Sequence, residues 1–275
     1  MMKNIFSLLV FVLFIIQGFE STAGAAPSYH YLPLIYNDYC LPFDLVFLSF
    51  GDSITQGYMD SNLCNYPACG YPIKLYKRLV AGSNKRFGFY NVGIGGERTD
   101  DGLNRFLDTI TNPQIYDLCP NLCSSCSGGN FYPAYCHHIR SEEVIIMEGM
   151  NDLGSWAVSG YPTFEVIEGN LRTMVLTALQ HGKQVIIATL NPVVPLNDHR
   201  SLQAQGVAAF NPRIWQIANE FQIPVADIYS AFLNYPDWEN NLMTTELSND
   251  GIHPNDLGFE VMAWVFYQTI LSHLP

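Results

Sequence analysis

A serine, a histidine and an aspartate at separate places in this chain are the residue types that attack on a carbonyl carbon requires. Residues 44–57, DLVFLSFGDSITQG, read as an apolar strand that runs into a Gly-Asp-Ser turn. Only Ser49 interrupts the run from Leu45 to Phe50, as expected of a parallel strand covered by helices on both faces. Gly51 allows the sharp turn, and Ser53 then stands at a sheet's carboxyl edge, where open α/β folds bind their ligands. Its hydroxyl is the candidate nucleophile. On its own, Gly-Asp-Ser reads equally as a helix N-cap. The second group is NDGIHPN, residues 249–255, where Asp250 and His253 are three apart. A carboxylate at that distance can orient an imidazole if the backbone turns between them, and Gly251 and Pro254 supply turn chemistry. The amphipathic run FEVMAWVFYQTILSHL follows directly and can anchor the pair.

Two further stretches offer hydrogen-bond donors. GIGGERT follows the strand-like Phe87 to Val92, and exposed backbone N–H groups in such a glycine-rich turn can face an anion. EGMND follows the strand-like Val144 to Met147 and brings the Asn151 amide to another strand's carboxyl end. Separately, the glycines read as a tight turn and Asn151 as a helix cap. Jointly, four polar elements that each end a strand or open the terminal helix converge on one sheet edge.

GDSITQG, NVGIGGERT, GMND and DGIHPN, in this order and spacing, resemble the four signature blocks of the SGNH (GDSL-type) hydrolases. The resemblance runs from Leu45 to about Ile270. It implies that Ser53 is the nucleophile, His253 the base and Asp250 the acid that orients it. It further implies an oxyanion hole built from Ser53, Gly96 and Asn151, and a flavodoxin-like strand order. Two departures stand out: Glu97 occupies a position where Asp is more usual, and a cysteine-bearing insertion precedes the third strand.

The elements that must position these residues alternate strand and helix. Strands are expected at Leu45–Phe50, Phe87–Val92, Glu143–Glu148, Val185–Leu190 and Pro224–Ile228. Helices are expected at Tyr71–Val80, Asp101–Ile110, Phe164–Gln180, Leu202–Ala209 and Ile214–Phe221, the last two divided at Pro212, and after the Asp-His pair. Lys74, Lys77 and Arg78 read as a solvated face. The alternation requires a single-domain three-layer α/β/α sandwich around a mostly parallel five-stranded sheet. An α/β-hydrolase elbow is G-x-S-x-G, which Gly51-Asp52-Ser53-Ile54-Thr55 does not match.

At the N-terminus, Lys3, an apolar run from Ile5 to Ile16 and the small residues Ala23-Gly24-Ala25 form the pattern of a signal peptide, residues 1–25. The run is too short for a membrane span. Residues 26–43 then read as an extended segment and 44–275 as the hydrolase domain. The formal net charge is −12, with 25 acidic against 13 basic residues. That balance disfavours nucleic acid and anionic membranes as partners. Export would oxidise the cysteines, of which there are seven, an odd number. Cys64 and Cys69 are expected to close a small loop near Ser53. Cys119, Cys123, Cys126 and Cys136, inside the insertion at 112–140, suit disulfides outside the cell and would suit zinc in a reducing compartment.

The functional expectation is a secreted or periplasmic serine esterase, with no cofactor or metal, acting on carbohydrate O-acetyl or short-chain acyl esters. The alternatives are a lysophospholipase- or thioesterase-like lipolytic enzyme and a catalytically silent carbohydrate-binding protein on the same scaffold. Tyr58, Tyr66, Trp156 and Tyr161 lie close to the blocks and read either as substrate-stacking or as packing residues.

Overall fold

The computed structural model of the chain describes residues 44–60, 69–111, 142–244 and 250–273. The signal-peptide and N-terminal segments, Cys64, Tyr66 and the cysteine-bearing insertion lie outside them.

Five strands form one sheet: β1 (Leu45–Gly51), β2 (Phe87–Asn91), β3 (Glu143–Met147), β4 (Gln184–Ala188) and β5 (Val225–Ala226). Their spatial order is β2-β1-β3-β4-β5 and every pairing is parallel. This is the flavodoxin-like order, with its reversal at β1 and β3. All five residues of β2 and of β3 are buried, because helices close both faces.

Between the strands run α1 (Ser53–Gln56), α2 (Gly70–Gly82), α3 (Thr99–Thr111), α4 (Met150–Ser159), α5 (Phe164–Gln180) and α6 (Asp198–Phe221). After β5 come α7 (Ile228–Leu233), α8 (Trp238–Asn241) and α9 (Asp256–His273). The α2 helix packs on α9, whereas α3 packs on α5 and α5 on α6. With right-handed crossovers these are the two outer layers of the sandwich. The α5 stripe is Ile167, Leu171, Met174, Val175 and Ala178, all buried at helical spacing. No helix among the described residues is long and apolar enough to cross a membrane.

Two expectations are corrected, and a helix is added to those expected. The helix divided at Pro212 is continuous from Asp198 to Phe221. Pro212 removes one backbone donor, but Val207, Phe210, Ile214 and Ile217 bury the stripe on both sides of it. Asn211 then clamps the helix to the sheet, accepting from Leu190 N at 2.9 Å and donating to Leu190 O at 3.0 Å. The EGMND stretch opens a helix that was not among the expected elements, α4, after Gly149 turns the chain at φ 122°. Lys74 is not solvated. Its ammonium lies 3.2 Å from the Asp60 carboxylate, with the two side chains 14% and 2% exposed. Arg78 reaches Glu260 of α9 at 2.7 Å, and Lys77 remains exposed.

Candidate active site

β1 delivers Ser53 one residue beyond Asp52, the N-cap of α1. The Asp52 carboxylate accepts from Ile54 N at 2.9 Å, which closes the turn and fixes Ser53 as the first helical residue. Glycine is required in the next loop for close approach: a Cβ on Gly93 would fall 2.2 Å from Gln56 N. This lets the glycine-rich turn lie against α1, and a Cβ on Gly95 would stand 3.9 Å from that of Ser53. Gly96 has φ 79° and open space around it, so backbone conformation rather than crowding selects glycine there.

The structure brings Ser53, His253 and Asp250 into one hydrogen-bonded line. Ser53 Oγ is 2.8 Å from His253 Nε2, and His253 Nδ1 is 2.5 Å from Asp250 Oδ2. All three side chains are buried. The turn that carries the pair is tied down from two sides. Val194 N donates to Gly251 O at 2.8 Å and Asn191 Nδ2 donates to Ile252 O at 3.0 Å, both from the segment after β4. Thr244 N donates to His253 O at 2.9 Å. Tyr58 packs edge-on against the His253 ring, with centroids 4.9 Å apart.

Asn151 occupies the first turn of α4, and its Nδ2 donates to Glu97 O at 2.8 Å. An amide nitrogen has two hydrogens, so this bond fixes the plane of the group and leaves the second donor for a ligand. The longer side chain at position 97 reaches Arg105 of α3, which bonds both carboxylate oxygens and also donates to Val92 O at 2.8 Å. Loop and helix are thereby locked under Gly96 and Asn151. Both residues line a cavity of about 610 Å³ with Arg98, Tyr161, Arg200 and Ile252.

Behind the line is a group of buried carboxyls. Burial pushes Asp52 up to about 7, against the pull of the Ile54 N–H and of His253. Burial likewise pushes Asp152 up to about 6, opposed by its bonds from Thr99 N at 2.9 Å and Thr99 Oγ1 at 2.7 Å. Glu148, at the end of β3, lies well above the usual carboxylate range. Burial is the main cause, with Asp52, Glu97 and Asp152 adding to it and Arg105 opposing.

All five residues expected at the site are thus at one edge of the sheet. Trp156 is not among them: half-buried, it lies tilted against Phe164 with ring centroids 5.1 Å apart and packs over Gly206. Asn191, Asp52, Glu148 and Arg200 belong to the site's surroundings without having been expected there. The one signal for Asn191 was its place directly after a strand. Cys69, the only cysteine among the described residues, is disulfide-bonded.

Residues 49–261 match the model of the GDSL-like lipase/acylhydrolase family. Among curated proteins none matches the chain in sequence. A lipase/acylhydrolase from Enterococcus faecalis has the same fold, with TM-score 0.62 and 21% identity over 84% of this chain and 97% of that one. An α/β hydrolase enzyme from the metagenome of Lake Arreo, Spain, gives 0.60 and 20% over 84% and 97%. A catalytic mutant of an acetylxylan esterase from Geobacillus stearothermophilus gives 0.58 and 19% over 84% and 96%. With the family model spanning all four blocks and reaching into α9 past the Asp-His turn, the chain belongs to the GDSL-like lipase/acylhydrolase family and is a carboxylic ester hydrolase.

Proposed function

We propose that the protein is a secreted serine esterase that removes acetyl or other short acyl groups from carbohydrate esters through an acyl-enzyme. The observation that carries this reading is the line Ser53 Oγ, His253 Nε2 at 2.8 Å and His253 Nδ1, Asp250 Oδ2 at 2.5 Å. With the imidazole proton on Nδ1 and donated to Asp250, Nε2 accepts the Ser53 hydroxyl proton as Oγ attacks the ester carbonyl. The negative charge that develops on the carbonyl oxygen is met by the N–H groups of Ser53 and Gly96 and by the second Asn151 hydrogen. The protonated histidine passes its proton to the departing alcohol, and water activated by the same nitrogen releases the acid.

The polar rim of the cavity, with Ser155, Ser159, Tyr161 and His199, supports a sugar rather than a long acyl chain as its occupant. An acetylxylan esterase of the same fold agrees with that choice. A disulfide at Cys69 accords with export, for which cleavage after Ala25 is the expected processing, and Cys64 is the proposed partner.

Hydrolysis of p-nitrophenyl acetate, of longer p-nitrophenyl esters and of O-acetylated xylan tests the reading. Turnover should fall as the acyl chain lengthens and vanish in Ser53→Ala. Equal rates in Ser53→Ala and wild type would refute the nucleophile, and a preference for long chains would favour a lipolytic enzyme. N-terminal sequencing of the exported protein should begin at Ala26.

A further inference from the structure

Six of the seven arginines among the described residues, Arg78, Arg86, Arg98, Arg105, Arg172 and Arg213, each sit against a carboxylate. In a chain with 25 acidic and 13 basic residues that is the ordinary outcome. Arg200 is the exception. Its Nη1 donates at 2.5 Å to the neutral amide oxygen of Gln203. Gln203 is itself 1% exposed, and its Nε2 donates at 3.0 Å to Met150 O, the carbonyl just before Asn151. The guanidinium is therefore held by a buried side chain anchored beside the proposed oxyanion donor, with no ion pair to an acidic residue among the described residues.

Its surroundings reinforce the charge. Arg200 lines the same cavity of about 610 Å³ as Gly96 and Asn151, together with Arg98 and His199, and no Asp or Glu is among the described lining residues. Arg98 is neutralised by Asp100 at 2.8 Å, and His199 spends Nε2 on Gly154 O at 3.0 Å. Among the described residues, Arg200 is left as the cavity's uncompensated cation. An acetyl group fills only a small part of a space that size, which suits an entire small ligand. The alcohol portion of the ester must occupy the rest.

Resting on the esterase reading above, we propose that Arg200 is a specificity-determining residue that binds an anionic group on the alcohol portion of the substrate, the carboxylate of an O-acetylated sugar acid. One N–H of the planar fork goes to Gln203, and the remaining donors match the two oxygens of a carboxylate. A neutral sugar would leave that charge partly desolvated and unpaired, which disfavours it.

The test measures acetate release by the mature protein from an O-acetylated uronic-acid oligosaccharide and from an O-acetylated neutral xylo-oligosaccharide. Wild type should favour the acidic substrate by about tenfold or more in kcat/KM, the size expected of a charge-assisted hydrogen bond. Arg200→Gln should bring the ratio near one and Arg200→Glu should invert it, whereas Arg200→Lys should keep part of it. A second measurement needs no variant. Free galacturonate should inhibit wild-type hydrolysis of p-nitrophenyl acetate more strongly than galactose or inorganic phosphate, and less so at high salt. Equal rates on the two oligosaccharides, or a preference unchanged in Arg200→Gln, would overturn the proposal while p-nitrophenyl acetate is still cleaved. Stronger inhibition by phosphate than by galacturonate would overturn the choice of a carboxylate. No acetate from any substrate would overturn the esterase reading and this one with it.

Discussion

Asp250 and Glu148 are two carboxyl side chains buried at the same edge of one sheet, 8% and 1% exposed, and they differ above all in the donors that reach them. Asp250 Oδ2 has His253 Nδ1 at 2.5 Å, and its Oδ1 accepts from Ile252 N at 3.3 Å. Neither oxygen of Glu148 has a hydrogen-bond partner among the described residues. A buried carboxylate is tolerated when donors surround it, and without them the proton stays on. Asp250 thus has donors at both oxygens, whereas Glu148, behind Asp52, has none and its carboxyl is held well above the usual range by burial. The difference teaches that burial alone does not make a carboxyl functional.

The largest expected effect lies on the paired side. Ser53→Ala and His253→Ala should each lower kcat by a factor on the order of 10⁴ or more, and combining them should add little, because residues acting as one unit are not additive. Asp250→Ala should be milder than either, by roughly tenfold or more. If the double variant lost the product of the two single factors, Ser53 and His253 would not be acting on one proton. Asn151→Ala comes next, removing the proposed oxyanion donor at an expected loss of about 10²–10³ in kcat. A rise in KM with kcat intact would instead make Asn151 a ground-state binder.

The strand-turn residues were legible because each is local. A run of apolar residues ending in Gly-Asp-Ser, and an Asp three residues before a His, are patterns within a dozen positions. What stayed hidden depends on contacts across the fold. Asn191 meets Ile252 from 61 residues away, and Gln203 meets Met150 from 53. No local pattern marks such a pair. Pro212 misled for a related reason: its local tendency to end a helix is overridden by Asn211 bonding to Leu190. Lys74 looked solvated because the sequence does not show that α2 is covered by α9 and that Asp60 waits beneath it.

Asn191 gives a smaller test of how the paired carboxylate is held. Its Nδ2 supports the turn that carries Asp250 and His253. Asn191→Ala should leave Ile252 O without that donor, lowering stability by about 1–3 kcal/mol. It should also reduce kcat by roughly tenfold through a displaced imidazole, with KM little changed. Urea unfolding beside steady-state kinetics checks both parts. Lost stability with unchanged kcat would mean that the turn keeps its geometry without Asn191.

The smallest effect concerns the unpaired side and appears in stability rather than rate. Asp52 and Glu143 are raised to about 7 and Asp152 to about 6, each chiefly by burial, and the same cause holds Glu148 well above the usual carboxylate range. A group with a raised native pKa keeps its proton while the unfolded chain has lost it. Between about pH 4 and 7 the native state therefore binds more protons, and unfolding free energy falls as pH rises. Surface carboxylates such as Asp44 and Glu165, lowered by Arg86 and by backbone and Arg213 bonds, act only at more acid pH and in the opposite sense. Each proton retained contributes a slope of about 1.4 kcal/mol per pH unit. Glu148→Gln replaces the neutral acid with a non-titrating group of the same shape. It should remove about one proton's worth of slope between pH 5 and 7, so that variant and wild type diverge toward neutrality in the variant's favour. Denaturant unfolding at pH 5, 6 and 7 reads this directly. Parallel stability curves would show that Glu148 is ionised in the folded protein, and the contrast with Asp250 would then fail.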